Sequence, residues 1–468
     1  MQNNVEFNRV LDHRLIPSVI ASGILSFIGI VVETAMNTTF PTLMKEFGVS
    51  TSMVQWLTTG YLLILSAIIP SSAFLKRRFK TKTLFIAAIS LFIVGTVMCG
   101  IAPVFSILLA GRLIQGVGTG IALPMMFNII QEQAPFENMG LLMGIGTMLT
   151  AMAPAVGPFF GGLIIRFFSW RLIFAVLMPL LIVALIIGVT NIRQSSEVKK
   201  GSGYDFFGNA VLAICFLSLI LSGNFAGTKG WLSIQTIGFF AAAIALAVFY
   251  LFYAGRRGEK AVINMEIFKE RRFTCSLIAL FTIQFMTLAI GFVIPNFAQI
   301  TWNQSALVAG CILVPGCALL TVLSPVGGRV MDKKGARIPL LTGVLATVIA
   351  SALFFLVPLS KASVISLTLV YMIFTFGQSF TAGNTMANGL GFLTGELKAD
   401  GNAAFNTLQQ LGGAFGTVIA AAIVAQAQNA RNITLSHSTE LGSHAAFGMI
   451  FAGSMILLIC QILATRKN

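Results

Sequence analysis

The chain has 468 residues, of which 56% are hydrophobic and only 10% charged, with a mean hydropathy of +0.90. Soluble domains carry roughly 25% charged residues, so a sizeable water-soluble domain is excluded, and with it a nucleotide-driven pump; no Gly-x-x-x-x-Gly-Lys-Ser/Thr phosphate loop occurs either. The net charge of +15 raises nucleic acid as a partner, a reading that the placement of the charge argues against.

Apolar spans recur along the chain at about 15–40, 52–75, 83–102, 104–130, 139–165, 170–192, 206–226, 231–254, 273–299, 304–327, 338–358, 363–390, 402–428 and 445–464. Each is long enough for a membrane helix, which needs about 20 mostly apolar residues. Fourteen spans put both termini on one side. With those termini cytoplasmic, 23 of the 30 Lys and Arg residues fall inside and six outside, while Arg112 lies within a span. That asymmetry is the positive-inside pattern, so the basic charge reads as topology and as contact with anionic membrane lipid, not as a nucleic-acid surface. The four tryptophans fall at outer helix ends, as an interfacial belt requires.

The first span, Ile16–Phe40, contains one carboxylate, Glu33. An ionisable group at membrane depth costs roughly 2.5–3.5 kcal/mol on insertion scales and marks an ion or proton path more often than not. Glu33 is either a proton-binding switch or a structural glutamate paired with a neighbouring helix. The polar N-terminus and the length of this span mark an uncleaved first helix, not a signal peptide.

The fourth span reads GRLIQGVGTGIALPMMFN. Arg112 must face protein or water there, as a partner of a proton carrier or as a clamp on backbone carbonyls. Gly116, Gly120 and Pro124 follow at i+4 spacing on one helix face, where small residues admit a close neighbour. Glu132, at the end of this helix, is a second candidate protonation site or a solvated helix-end residue. The fifth span, GTMLTAMAPAVGPFFGG, carries a small-residue face of Ala153, Gly157 and Gly161 beside prolines at 154 and 158. Proline bends a helix, and a bent helix with a close-packing face suits a seal between two bundles.

A weak repeat divides the chain. AFLKRRFKTK (Ala73–Lys82) follows the second span and GRVMDKKGAR (Gly328–Arg337) the tenth. Both are short basic turns at matching places, as in transporters built from two related halves with the substrate site between them. The expected domains are a cytoplasmic tail over 1–14, a six-helix bundle over 15–194, a linker and two-helix insertion over 195–260, and a second six-helix bundle over 261–468. A long external loop is expected at about 426–446. Polar amides within or beside the spans, Asn37, Gln284, Asn296, Gln299, Asn384, Asn388, Asn406 and Gln410, are candidates for lining a central cavity or for tying helices together. The 40 Phe and 19 Met suit an adaptable apolar pocket. The six cysteines fall in apolar spans without a Cys-x-x-Cys pair, and the three histidines lie outside the spans, so neither a disulfide framework nor a metal site is indicated.

Taken together, VVETAMNTTFPTLMKEFGVSTSMVQWLTTGYLL, GRLIQGVGTG, APAVGPFFGG, WRLIF, GGRVMDKKGAR and NTLQQLGGAFGT resemble the major facilitator superfamily, in its fourteen-helix drug/proton antiporter branch. The resemblance covers nearly the whole chain. APAVGPFFGG is its most specific part and is similar to the fifth-helix motif associated with antiporters, which assigns Gly157, Pro158, Gly161 and Gly162 a conformational role. Glu33 stands where lincomycin-type exporters carry a glutamate. The resemblance implies an all-α integral membrane fold of two six-helix bundles plus the insertion. It implies a secondary transporter, not an enzyme, in the bacterial cytoplasmic membrane. Such a protein exports small amphipathic or cationic drugs as a monomer, with no cofactor and with the proton gradient as energy source. Alternatives are a carrier dedicated to one metabolite or lipid precursor, and a non-transporting receptor, scaffold or enzyme. Asp332 occupies the acidic position of the second-half loop motif, and Glu137 resembles the usual acid of the loop after the fourth helix, a conformational contact. The first-half motif departs from the family: Arg77 stands where an acid is common and Lys80 where glycine is. That leaves the loop-latching role to Asp332. Asp400 reads as a solvated loop acid.

Overall fold

The computed structural model describes residues 12–49, 51–54, 56–194, 204–356, 363–395, 397–428 and 434–466; the linker segment 195–203 lies outside them. Among the described residues every regular element is helical. The first half comprises α1 (Leu15–Phe47), α2 (Thr51–Val54), α3 (Trp56–Ile68), α4 (Ser72–Arg78), α5 (Thr81–Gly100), α6 (Phe105–Gln133), α7 (Met139–Phe167) and α8 (Leu172–Asn191). The insertion is α9 (Phe206–Lys229) and α10 (Ile234–Arg257). The second half comprises α11 (Arg271–Ile300), α12 (Ala306–Cys311), α13 (Val314–Lys334), α14 (Arg337–Leu356), α15 (Val364–Gly391), α16 (Leu397–Gln428) and α17 (Leu435–Thr465).

Among the described residues twelve stretches are singly long and apolar enough to cross a membrane, and the number reaches fourteen if each of two bent pairs is one span. The α3–α4 pair bends by 52°, at a break that holds Pro70, and α7 bends by 40° between Met139–Pro154 and Val156–Phe167. Proline explains both, because it deletes a backbone donor and its ring collides with the preceding turn.

The halves meet chiefly where α7 lies against α13, with α15 beside it, and where α16 reaches α4 and α6. The insertion occupies a groove beside this seam. At its start the Ser71 hydroxyl donates to Asn209 Oδ1 (3.1 Å) and bonds the Tyr204 hydroxyl (2.6 Å). Further along, a side chain at Gly223 would collide with Val418 of α16. So α9 touches both halves. By contrast α10 is peripheral and buries only Thr236, Ala243, Tyr250 and Ala254.

Three expectations change. The stretch 426–446 is no long loop: α16 extends to Gln428 and α17 begins at Leu435. Its polarity is deceptive, because Ser438, Thr439, Gly442 and Ser443 form the buried face of α17, and Gln428 Nε2 donates to Thr439 Oγ1 (2.8 Å). Trp170 is no belt residue. It is buried, donates from Nε1 to Glu46 (2.6 Å) and packs on Phe47 and Phe174. The apolar spans also predict all six cysteines to be small core residues, and Cys311 is exposed.

Candidate functional site

Glu33 sits near the middle of α1, half-buried, and makes no hydrogen bond or ion pair among the described residues. It shares a helix face with Gly29 one turn before it and Asn37 one turn after. Asn37 is exposed and its Oδ1 accepts from the Thr58 hydroxyl of α3 (2.7 Å). At Gly29 the helices approach closely: a β-carbon there would collide with Thr119, and the Gly29 carbonyl accepts from the Tyr61 hydroxyl (2.9 Å). That hydroxyl also donates to Thr119 Oγ1 (2.8 Å). The helix contacts around Gly29 are thus close, while Asn37 is exposed.

Arg112 is fully buried. Its Nε donates to the Leu57 carbonyl (3.4 Å), its Nη1 to Gln115 Oε1 (3.0 Å), and its guanidinium carbon lies 4.2 Å from the centre of the Tyr61 ring. Gln115 Nε2 passes the connection on to Thr96 Oγ1 (2.9 Å). Nη2 is buried without a partner among the described residues. Arg112 thus clamps a carbonyl, and an uncompensated buried cation is costly; Glu33 is one of the groups whose charge acts on it. The glycines of α6 serve this arrangement. Gly116 and Gly120 lie against Ile64 and Ile68 of α3, which draws Tyr61 onto the guanidinium.

Gly157 and Gly161 pack on the other side of α1. A β-carbon at Gly161 would lie 2.7 Å from the Ala35 carbonyl and 2.6 Å from Thr38 Oγ1, and one at Gly157 would overlap Thr34. This face therefore seals α7 to α1 within the first half, not one bundle to the other as the spacing suggested. Pro158 and Gly162 point outward, and nothing lies within 4 Å of a β-carbon at Gly162. Gly161→Val is expected to reduce transport at least tenfold by pushing α7 off the helix that carries Glu33, whereas Gly162→Ala leaves it unchanged; transport assays on membranes with matched protein levels separate the two.

The seam to the second half is built at the opposite end of α7. Asn138 does not cap its own helix, which leaves the first backbone donors of α7 without partners. Asp332, from α13, supplies the cap across the seam: Oδ1 accepts from the Gly140 N–H (2.7 Å) and Oδ2 from Leu141 (2.9 Å). An anion is favoured at a helix N-terminus. Glu137 is exposed and makes no such contact among the described residues. Asp400 is not solvated. It is buried in the first turn of α16 and accepts from Arg77 Nη1 at 2.9 Å. Beside this pair, Asn402 Nδ2 donates to Asn128 Oδ1 (2.7 Å) and to the Pro124 carbonyl (2.8 Å). Glu132 pairs with Lys76 at 2.8 Å within the first half.

A family model described as Major Facilitator Superfamily matches residues 22–417. The chain belongs to the major facilitator superfamily. The lincomycin resistance protein LmrB of Listeria monocytogenes is 33% identical over 97% of this chain and 98% of its own length. LmrB of Bacillus subtilis is 33% identical over 89% of this chain and 87% of its own. A crystal structure of the human organic anion transporter MFSD10 shares the fold, with a TM-score of 0.64 at 12% identity over 95% of this chain and 99% of that one. This major facilitator chain is accordingly a transporter and not an enzyme, a multi-pass protein of the plasma membrane.

Within the facilitator fold the candidate amides differ in how their polar atoms are engaged. Asn406 is spent on Asn402 (2.8 Å), Gln299 on the Pro295 carbonyl of its own helix (3.2 Å), and Gln284 and Gln410 are half-buried. Asn296 Oδ1, Asn384 Oδ1 and Asn388 Nδ2 are buried without partners among the described residues. Residues that the sequence reading did not single out are Gln115, Tyr61, Asn128, Asn402 and Gly140. Gln115 had a direct signal, three residues beyond Arg112 on the same helix face, and Tyr61 and Asn128 lie inside the quoted motifs.

Proposed function

We propose that this facilitator is a proton-coupled multidrug exporter, a drug/H+ antiporter working by alternating access, with Glu33 as the proton-binding group. One observation carries the reading: a carboxylate half-buried at the middle of α1 without a hydrogen-bond or ion-pair partner among the described residues, in a bundle whose α6 holds a fully buried arginine. Protonation removes the charge and with it the cost of burying that face of α1. The proton thereby acts differently on the two conformations, as coupling requires. Arg112 supplies an opposite charge within the same bundle. A cationic or amphipathic drug would compete for the same carboxylate. The relatives named lincomycin resistance protein support a drug substrate. The latch between Asp332 and α7 and the Arg77–Asp400 pair would hold the two halves together at one end of the bundle, and their release would accompany the change of access. The proton gradient is the energy source, no cofactor is used, and the working unit is a monomer.

The test is substrate-induced proton movement in inside-out vesicles. Addition of a drug is expected to release protons from an acidified lumen with the wild-type chain and not with Glu33→Gln at equal protein level. Equal release from both would move the carrier away from Glu33, and drug movement without proton movement would overturn antiport.

A further inference from the structure

The insertion leaves a groove at the basic end of α10, lined by Phe249, Phe252, Tyr253, Arg256 and Arg257. Phe252 is 71% exposed, and Phe206 and Phe207 at the start of α9 are 76% and 54% exposed. The rings are ordered: Phe207 meets Tyr253 edge-on at 5.2 Å, and Phe249 stacks on Tyr253 at 6.2 Å. The Tyr253 hydroxyl donates to Asp205 Oδ1 (2.7 Å), which also accepts from the Gly208 N–H (3.0 Å). Asp205 is buried, so this carboxylate faces into the protein and is engaged in capping α9. The guanidinium of Arg257 lies 5.2 Å from the centre of the Tyr253 ring. Neither Arg256 nor Arg257 has a carboxylate within ion-pair distance among the described residues. Cations at a helix C-terminus are favoured by its dipole. That accounts for the arginines alone and not for a row of exposed rings leading up to them.

We propose that this groove binds one anionic phospholipid, its phosphate held by Arg256 and Arg257 and one acyl chain lying along Phe252 and Phe249. The chemistry selects the ligand. Guanidinium groups pair with phosphate through parallel hydrogen bonds, and exposed rings at the edge of a membrane helix match a hydrocarbon chain. A bilayer supplies both on one molecule, and basic sites at this depth favour anionic headgroups. A zwitterionic lipid brings its own cation to the arginines and is disfavoured.

Native mass spectrometry of the full chain in detergent tests the site, with phosphatidylglycerol and phosphatidylcholine of matched chains and with glycerol phosphate as a headgroup lacking chains. The wild-type protein is expected to retain one phosphatidylglycerol in preference to phosphatidylcholine. R256Q/R257Q is expected to weaken that binding roughly tenfold or more. F252S, which keeps both charges, is expected to weaken it as well, and K333Q/R337Q, remote basic residues, to leave it unchanged. Undiminished retention by R256Q/R257Q overturns the proposal. Competition by glycerol phosphate at the lipid's own concentration overturns it in favour of a simple phosphate site, and an equal loss in K333Q/R337Q overturns it in favour of diffuse charge.

Discussion

Replacing Gly328 by valine is expected to reduce transport at least tenfold while the protein still reaches the membrane at its normal level. A β-carbon at Gly328 would overlap the Gly140 carbonyl oxygen, and one at Gly140 would lie 2.6 Å from the Gly328 carbonyl and 2.8 Å from Asp332 Oδ1. Backbone stands on both sides, so no side chain can rotate away and α7 and α13 must separate. Separation by even one ångström stretches the 2.7 and 2.9 Å bonds from Asp332 to the start of α7 beyond hydrogen-bonding range. Hydrogen bonds to a charged group contribute roughly 1.5–3 kcal/mol each, so losing both shifts the balance against closure by on the order of a hundredfold or more. Labelling reads this directly. Ala73 is buried against Ala399 and Ala403 at the seam. A cysteine placed there, with the exposed Cys311 changed to serine, is expected to react slowly with a membrane-impermeant maleimide in the parent and rapidly when Gly328 is valine. Equal rates and undiminished transport would show that the α7–α13 contact does not govern closure.

The second large effect concerns Arg77 and Asp400. Arg77→Asp is expected to abolish transport by setting two carboxylates against each other in a largely buried place, and Asp400→Arg to do the same with two cations. Breaking a buried pair from one side costs roughly 3–5 kcal/mol, because the remaining charge is stranded. The exchanged double variant, Arg77→Asp with Asp400→Arg, restores the attraction and is expected to recover a substantial fraction of transport. Coupling of this kind is what a double-mutant cycle isolates. If the double variant is as inactive as the worse single variant, the pair is not the interaction that matters. The 2.9 Å contact also gives physical sense to the departure at Arg77. Where the resembling motif carries an acid, this chain has a base, and the facing helix start carries the acid instead. The seam thus has two unlike fastenings, an acid on bare backbone donors at Asp332 and a base on a helix-borne acid at Asp400.

The apolar spans, the basic turns and the two charges inside spans were legible because each breaks or obeys a rule local to its own segment. Glu33 and Arg112 stand out against their neighbours whatever they touch. Asp400 could not be read this way. Its segment is polar, and only the tertiary fold shows that it lies under Arg77, more than 300 residues earlier in the chain. The Gly157–Gly161 face was visible as a face, but spacing does not say which helix it meets, and it meets α1. The same limit hid the buried side of α17, whose serines and threonine look like a loop until Gln428 is seen bonded to Thr439. Amides were the least legible group, since a buried asparagine tied to a carbonyl and one facing a cavity have the same sequence signature.

The position of α9 carries a consequence for synthesis. Residues 12–194 contain every helix that the first bundle needs, so that bundle is complete before α9 is made and packs as it emerges. For α9 this is not so. Its Ser71 and Tyr204 contact forms with helices already in place, but its other wall, α16, begins at Leu397. The insertion therefore waits half-docked while about 170 further residues are made. During that interval the face of α9 that will meet Val418 is turned to lipid. Long-range closure of this kind is slow, so a change at Gly223 acts on the yield of assembled protein before it acts on the rate of transport.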